Sequence, residues 1–341
     1  MFQPSYTITT TLLANIKRIS LLWEKLNNKS YPAIVKAKLE RSAREISVYA
    51  STSIEGNPLP LTEVKSILKN HPLHLRDSER EILNYNKALE FADKFILQNI
   101  QIGLPTILKL HKLVEDNLLE TYRCGKLRME PVFVNDPKTG KPVYLPPDHK
   151  DVLALMNELI DFVSINKDKI DPLILAGIFH KQMVIIHPFI DGNGRTTRVV
   201  TKILLAILGI NTFRLFSFEN YYNSNVTKYF AKVGEFGNYY EIHERVNFTQ
   251  WLEYFTDGII DELLRVDKEF TVQALTPDNE LKKQHILIMK HIKDNGYITD
   301  KQYAEITDRA KPTRHLDFRK LISLGLIKSE GKGKATFYTL V

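Results

Sequence analysis

With 341 residues, 43% hydrophobic and 26% charged, the chain is long enough for two or three domains with a sizeable core, and its composition is globular rather than disordered. A single cysteine, Cys124, excludes an intramolecular disulfide. With no signal peptide and no apolar run near the ~20 residues of a membrane helix, a cytoplasmic protein without a membrane partner is expected. The net charge of +7 is concentrated late in the chain, where residues 277–341 carry 13 Lys or Arg against 8 Asp or Glu, or +5.

Leu12, Ile16, Ile19, Trp23 and Leu26 recur at helical spacing in the first 31 residues. Residues 27–30 read as a connector. Pro32 suits the first turn of a second helix, which carries Ser51-Thr52-Ser53-Ile54-Glu55-Gly56-Asn57 at its end; Gly56 and Pro58 stop it. Helices are predicted over 63–68, 79–98 and 105–119. Residues 128–134 and 142–145 are rich in β-branched and aromatic side chains and flank the turn-forming stretch 135–140, with Pro137, Lys138 and Gly140, so a β-hairpin is predicted over 128–145. Helices follow over 151–165, 172–186, 199–208 and 247–264. Residues 271–279, with Pro277, read as a linker. Beyond it, three helices, a short strand at 297–299 and a terminal hairpin predict a winged helix-turn-helix. The expected architecture is mainly α: an N-terminal helical region over 1–104, a helical core with a hairpin over 105–270, and a winged helix over 278–341.

Two apolar runs, 172–186 and 199–208, enclose His187-Pro188-Phe189-Ile190-Asp191-Gly192-Asn193-Gly194-Arg195-Thr196-Thr197-Arg198. Gly192 and Gly194 permit positive φ and close approach of the backbone to a ligand. They lie where a helix begins, so unpaired N–H groups and the helix dipole point into one space and form an anion nest. Arg195 and Arg198, three apart, suit phosphate oxygens. Asp191 is placed to hold a hard cation such as Mg²⁺ between phosphates. His187 accepts a proton near neutral pH. Together these parts would bind a nucleoside triphosphate and deprotonate a hydroxyl that attacks phosphorus. Neither a Walker A motif nor a Rossmann fingerprint is present.

This stretch resembles the signature of the Fic family, HPFx[D/E]GNGRxxR, at every fixed position, and the resemblance extends over about 105–264. It implies a mainly α-helical core that transfers AMP from ATP to a Tyr, Thr or Ser hydroxyl of a target protein. By that resemblance His187 is the general base and Asp191 the Mg²⁺ ligand. Gly192, Asn193 and Gly194 cradle the α- and β-phosphates, Arg195 adds charge, Arg198 meets the γ-phosphate, and Thr196 and Thr197 between the arginines count with the nucleotide-binding residues. The hairpin over 128–145 is then a flap that pins the target by strand addition. Tyr229 falls where the family often has an aromatic near the adenine.

Ser51, Glu55 and Asn57 resemble the fixed places of the family's inhibitory motif, [S/T]xxxE[G/N]N. A Glu55 carboxylate paired with Arg198 takes the arginine from the γ-phosphate and puts negative charge where phosphate must go. The alternatives are an enzyme that removes AMP at the same site, with Glu55 positioning water, and a DNA-binding regulator. The latter would use Arg314, His315 and Arg319 of the third terminal helix and Lys332 and Lys334 of the wing. A homodimer contact through 278–341 is the other use of that domain.

Overall fold

The computed structural model describes residues 2–28, 33–70, 72, 74–98, 100–136, 139–210, 217–274, 281–331 and 333–340. The predicted connector residues 29–30, Pro32, Pro137 and Lys138, residues 275–279 of the predicted linker with Pro277, and Lys332 lie outside them, as does the side chain of Lys334; residues 271–274, also read as linker, are instead the end of a helix that runs on to Ala274. The chain divides into two units, Met1–Asn27 with Ala43–Leu264, and Asn28–Ser42 with Arg265–Val341. Among the described residues no helix is long and apolar enough to cross a membrane.

Four helices precede the predicted core: α1 (Thr10–Asn28), α2 (Ala33–Ile54), α3 (Leu61–Asn70) and α4 (Asp77–Leu97). Then come α5 (Leu104–Val114), the strands β1 (Val134–Asn135) and β2 (Pro142–Leu145), α6 (His149–Asn166), α7 (Pro172–Ile186) and α8 (Asn193–Ile207). The first unit continues through α9 (Phe218–Ser224), α10 (Val226–Val233), β3 (Gly237–Asn238), α11 (Tyr239–Ile242) and α12 (Thr249–Ala274), whose last residues fall in the second unit.

α7 is the centre of the first unit. It is apolar on nearly every side and buried from Leu173 to Met183, the signature of a helix enclosed by others. Asp171 caps it by accepting from the Leu173 N–H, and Pro172 supplies the preset φ of a first turn. A Cβ at Gly177 would crowd Leu252 and Phe255, so this glycine lets α12 close against α7, where Trp251 Nε1 donates to the Gly177 carbonyl at 2.8 Å. α8 packs along the other side, with Val199, Val200, Ile203 and Leu205 fully buried. The two helices meet at the His187–Arg198 turn, so that turn hangs from two of the most deeply buried helices of the unit.

Two predicted elements are shorter than their sequence pattern. α5 ends at Val114, not Leu119, because Glu115 leaves helical geometry and Asn117 takes φ +56°. The hairpin does not start at 128. Its first strand is β1, pairing antiparallel with β2 (Val134 with Tyr144). Arg128, read as the start of the strand, is instead buried and bonded to carbonyls. A third strand, β3, pairs parallel with β2, which gives the sheet order β1-β2-β3. Two residues carry no alternation pattern, so β3 had no signal in the sequence.

The second unit holds α13 (Lys283–Asn295), β4 (Ile298–Thr299), α14 (Asp300–Glu305), α15 (Lys311–Ser323), β5 (Ile327–Glu330) and β6 (Phe337–Leu340). Its antiparallel sheet runs β4-β6-β5. Buried Asp317 of α15 joins its helices, accepting from Tyr303 Oη at 2.8 Å, pairing with Arg309 Nε at 2.9 Å and lying 3.4 Å from His285 Nε2. Arg314 is held in a two-pronged pair by Asp300, at 2.9 Å on each prong, and so is not the free phosphate contact the sequence suggested. His315 and Arg319 are exposed.

Candidate functional site

Helix α7 ends at His187, whose backbone is left-handed (φ +50°, ψ +61°), a conformation that costs a non-glycine residue about 1–2 kcal/mol. The turn lifts the imidazole off the helix axis. Its Nδ1–H donates to the Val184 carbonyl at 3.3 Å, which leaves Nε2 with the lone pair. Burial, with a smaller push from Arg128, lowers the His187 pKa to about 4, against the opposing pull of the Val184 carbonyl, Glu55 and Asp191. The ring is therefore neutral at pH 7.

Asn193 closes the turn. Its Oδ1 accepts from the Phe189 N–H and its Nδ2 donates to the Phe189 carbonyl, both at 2.9 Å, so one side chain imitates a strand partner. The amide is therefore spent inside the turn, and the part of Asn193 left for the expected nest is its backbone N–H. Gly192 is the left-handed N-cap of α8 (φ +71°), as expected. Gly194 is not left-handed; a Cβ there would meet Oε1 of Glu55 and Nη1 of Arg198, so the glycine leaves the room that the Glu55–Arg198 pair fills. The first N–H groups of α8 have no intrahelical partner and face the space over Gly194. Thr197 is spent inside the helix, its hydroxyl donating to the Asn193 carbonyl at 2.7 Å, and Thr196 is fully buried with an unpaired hydroxyl. Neither reaches the ligand space, contrary to expectation, because both point from α8 into the core.

The two arginines are both buried and are held by different partners. Arg198 donates from Nε to Ser51 Oγ at 2.8 Å, and from Nη2 to the Ser51 carbonyl at 2.9 Å and Glu55 Oε1 at 2.7 Å. Burial alone would lower its pKa, but Glu55 and the Tyr229 and Tyr85 phenols outweigh this and raise it. Arg195 lies among three carboxylates: Glu81 at 2.8 Å, Glu115 at 3.0 Å and Asp191 at 3.4 Å. Asn57 Nδ2 donates to the other oxygen of Glu81 at 2.6 Å. The turn 51–57 thus touches Arg198 directly and Arg195 through Glu81.

Glu115 had no signal in the sequence, where it reads as an ordinary residue of a helix. It has no solvent exposure, and neither oxygen makes a hydrogen bond of good geometry. Its Oε1 fills the space where a Cβ of Gly192 would stand. Burial pushes its pKa up to about 7 although Arg195 pulls it down. Because the folded state holds this proton more tightly than the unfolded chain, stability is greatest below the ordinary carboxyl range near 4.5 and is lost as pH rises to about 7. Glu115→Gln is expected to match the natural protein at pH 4 and to exceed it by up to roughly 3 kcal/mol at pH 8. Urea denaturation at the two pH values checks this; equal differences at both would show that the carboxyl titrates normally.

Tyr229 does not lie in the ligand space. It is buried in an aromatic cluster, stacked on Tyr222 with centroids 4.7 Å apart. Thr201 donates to Thr197 and so accepts from His180 Nδ1, which leaves His180 Nε2, 3.1 Å away, to accept the Tyr229 hydroxyl. The reason is its place on α10, where Tyr229 and Val233 form the buried face.

The site therefore joins a left-handed His, an N-terminal helix nest with an arginine on either side, and a solvent-facing Asp191 (62% exposed side chain). Residues 101–205 match the model of the Fic/DOC family. The chain carries a Fic domain. Related proteins include the protein adenylyltransferase Fic of Drosophila mojavensis, 29% identical over 210 residues, which covers 60% of this chain and 40% of that protein. The same-named protein of Drosophila willistoni is 31% identical over 52% of this chain and 34% of its own length. The chain thus spans well under half the length of these curated relatives. The Fic domain's fold also appears in a solved Fic family protein from Desulfovibrio desulfuricans, with a TM-score of 0.65 at 19% identity over 100% of this chain and 98% of that one. Fic-1 of C. elegans (residues 134–508) gives 0.61 at 20% identity over 77% and 73%.

Proposed function

We propose that the chain is a protein adenylyltransferase that moves AMP from ATP to a hydroxyl of a target protein and is autoinhibited by Glu55. The observation that carries the reading is the seat of Glu55: its Oε1 bonds Arg198 and occupies the slot over Gly194, at the mouth of the nest. An anion already sits where the nest would hold one. The names of the Drosophila relatives support the reaction class.

In the active state the N–H groups that open α8 and the two arginines orient the phosphates. His187 Nε2 takes the proton of the target hydroxyl, whose oxygen attacks the α-phosphorus. The bond from that phosphorus to the bridging oxygen breaks, and pyrophosphate leaves. Phosphate charge arriving beside His187 raises the basicity of an imidazole that burial has weakened. Mg²⁺ fits the donor set. Among the described residues no group of three or more His, Cys, Asp or Glu could hold a metal by itself, but Mg²⁺ is commonly held by one carboxylate, phosphates and waters. Asp191 supplies that carboxylate, facing solvent beside the nest, and the ion when bound neutralises phosphate charge. The target would lie along the β1-β2 flap, as the sequence resemblance implies.

The test is incubation of the full chain with α-labelled ATP, Mg²⁺ and a cell lysate, followed by mass analysis of labelled bands. An added adenosine monophosphate on a Ser, Thr or Tyr is expected. Label that is absent even from a Glu55 variant would reject the reading.

A further inference from the structure

One buried cation near the site has no part in the proposed mechanism. Arg128 is 3% exposed, and among the described residues the hydrogen-bond acceptors of its guanidinium are main-chain carbonyls. Nε donates to His187 at 2.8 Å, Nη1 to Glu130 at 3.2 Å, and Nη2 to Pro147 and to Ile186 at 3.5 Å. Its own backbone N–H donates to the Pro188 carbonyl at 2.9 Å. The Asp148 carboxylate attracts the guanidinium from farther away, but burial still lowers its pKa, and a buried charge whose hydrogen bonds all go to carbonyls is an expensive arrangement.

The partners fall into two sets. Ile186, His187 and Pro188 are three consecutive carbonyls through the turn that contains the left-handed His187. A non-glycine residue keeps this strained backbone only where its surroundings over-determine it, and Arg128 grips it on both sides. Glu130 and Pro147 are the two stems of the flap, one before β1 and the other after β2. The planar fork of a guanidinium reaches both sets at once, which the single ammonium of a lysine does not.

We propose that Arg128 is a positioning residue that locks the His187 turn and both flap stems into one frame, so that a target hydroxyl laid on the flap arrives in line with Nε2 of His187. The proposal rests on the adenylyltransferase reading for its kinetic consequence, but its structural half stands without it. Arg195 and Arg198 hold the phosphates independently of Arg128. Loss of Arg128 therefore separates nucleotide binding from transfer.

The test uses Arg128→Lys and Arg128→Met in the full chain with Glu55→Gly, which frees the site. MgATP affinity, measured by calorimetry, is expected to stay within about threefold, while kcat for transfer falls at least ~100-fold, because misplacing reacting groups by about 1 Å costs that much. Lysine is expected to rescue little. Nitrogen-15 NMR of the His187 ring, assigned by its absence in His187→Ala, should show the Nδ1–H tautomer in the parent and a mixture in both variants. That readout needs no transfer activity. A parent with the Nδ1–H tautomer but no transfer would reject the proposed reaction and leave the positioning role to be judged by the NMR change. An unchanged tautomer in both variants overturns the proposal, as does an unchanged kcat where the parent is active. A parallel fall of MgATP affinity and kcat also overturns it, since that marks general loss of structure. If Arg128→Met fails to fold, Arg128→Lys, which keeps the charge, decides.

Discussion

Glu55→Gly is expected to transfer AMP about 10- to 100-fold faster than the natural chain at equal MgATP, the range that a coupling of 1–3 kcal/mol between two sites allows. Glu55 does two things in the structure, and glycine removes both. Its charge engages Nη2 of Arg198, and its bulk fills the space above Gly194. Arg198 does not collapse when Glu55 leaves, because Ser51 still holds it through Nε and Nη2, so the freed guanidinium stays aimed at the nest. Nη1, which makes no hydrogen bond in the structure, would become available to phosphate as well. Glu55→Gln separates the two effects. It keeps the bulk and loses the charge, and is expected to fall between the natural protein and glycine. Initial rates of label transfer at saturating MgATP measure this. Equal rates for natural and glycine proteins would end the autoinhibition reading.

His187→Ala in the Glu55→Gly background is expected to lower the transfer rate by ~10²- to 10⁴-fold, the usual worth of a positioned general base, with MgATP affinity changed only a few-fold. The split follows from geometry. The ring is anchored to Val184 in α7, whereas the proposed phosphate site is formed by the start of α8 and its arginines. The natural ring is neutral at pH 7, so no proton has to leave it before catalysis. Single-turnover transfer with calorimetric MgATP titration gives both numbers. A variant within about tenfold of its parent would remove His187 from the base role.

Much of the fold was legible in the sequence because helices write themselves as a 3.6-residue apolar period and stop at Gly, Pro and capping residues. That sufficed to find α4, α7, α8 and the helices of the second unit. It failed where pairing, not periodicity, makes the element. β3 is two residues long and exists only because β2 offers it an edge. Arg128 and Tyr229 were misplaced for a related reason: a β-rich texture and a family position say what a residue type allows, and packing against α7 says where the side chain goes.

The sequence by itself determined which residues make up the turn from His187 to Arg198 and the motif at 51–57, and what chemistry they offer. Those residue types at that spacing have few uses, and a glycine at the start of a helix is enough to point to the left-handed backbone of Gly192. Only the tertiary structure decided how that chemistry is held. It showed that the space left by the missing Cβ of Gly194 is filled by Glu55. It turned the Asn193 amide inward to staple the loop. It also brought Glu81, Glu115 and Arg128, from three separate segments, against the two ends of the turn. The cause is physical: buried charges need partners, and those come from residues distant in sequence that no local pattern links. Each such partner is visible only once α4, the end of α5 and the flap stems have closed around α7 and α8.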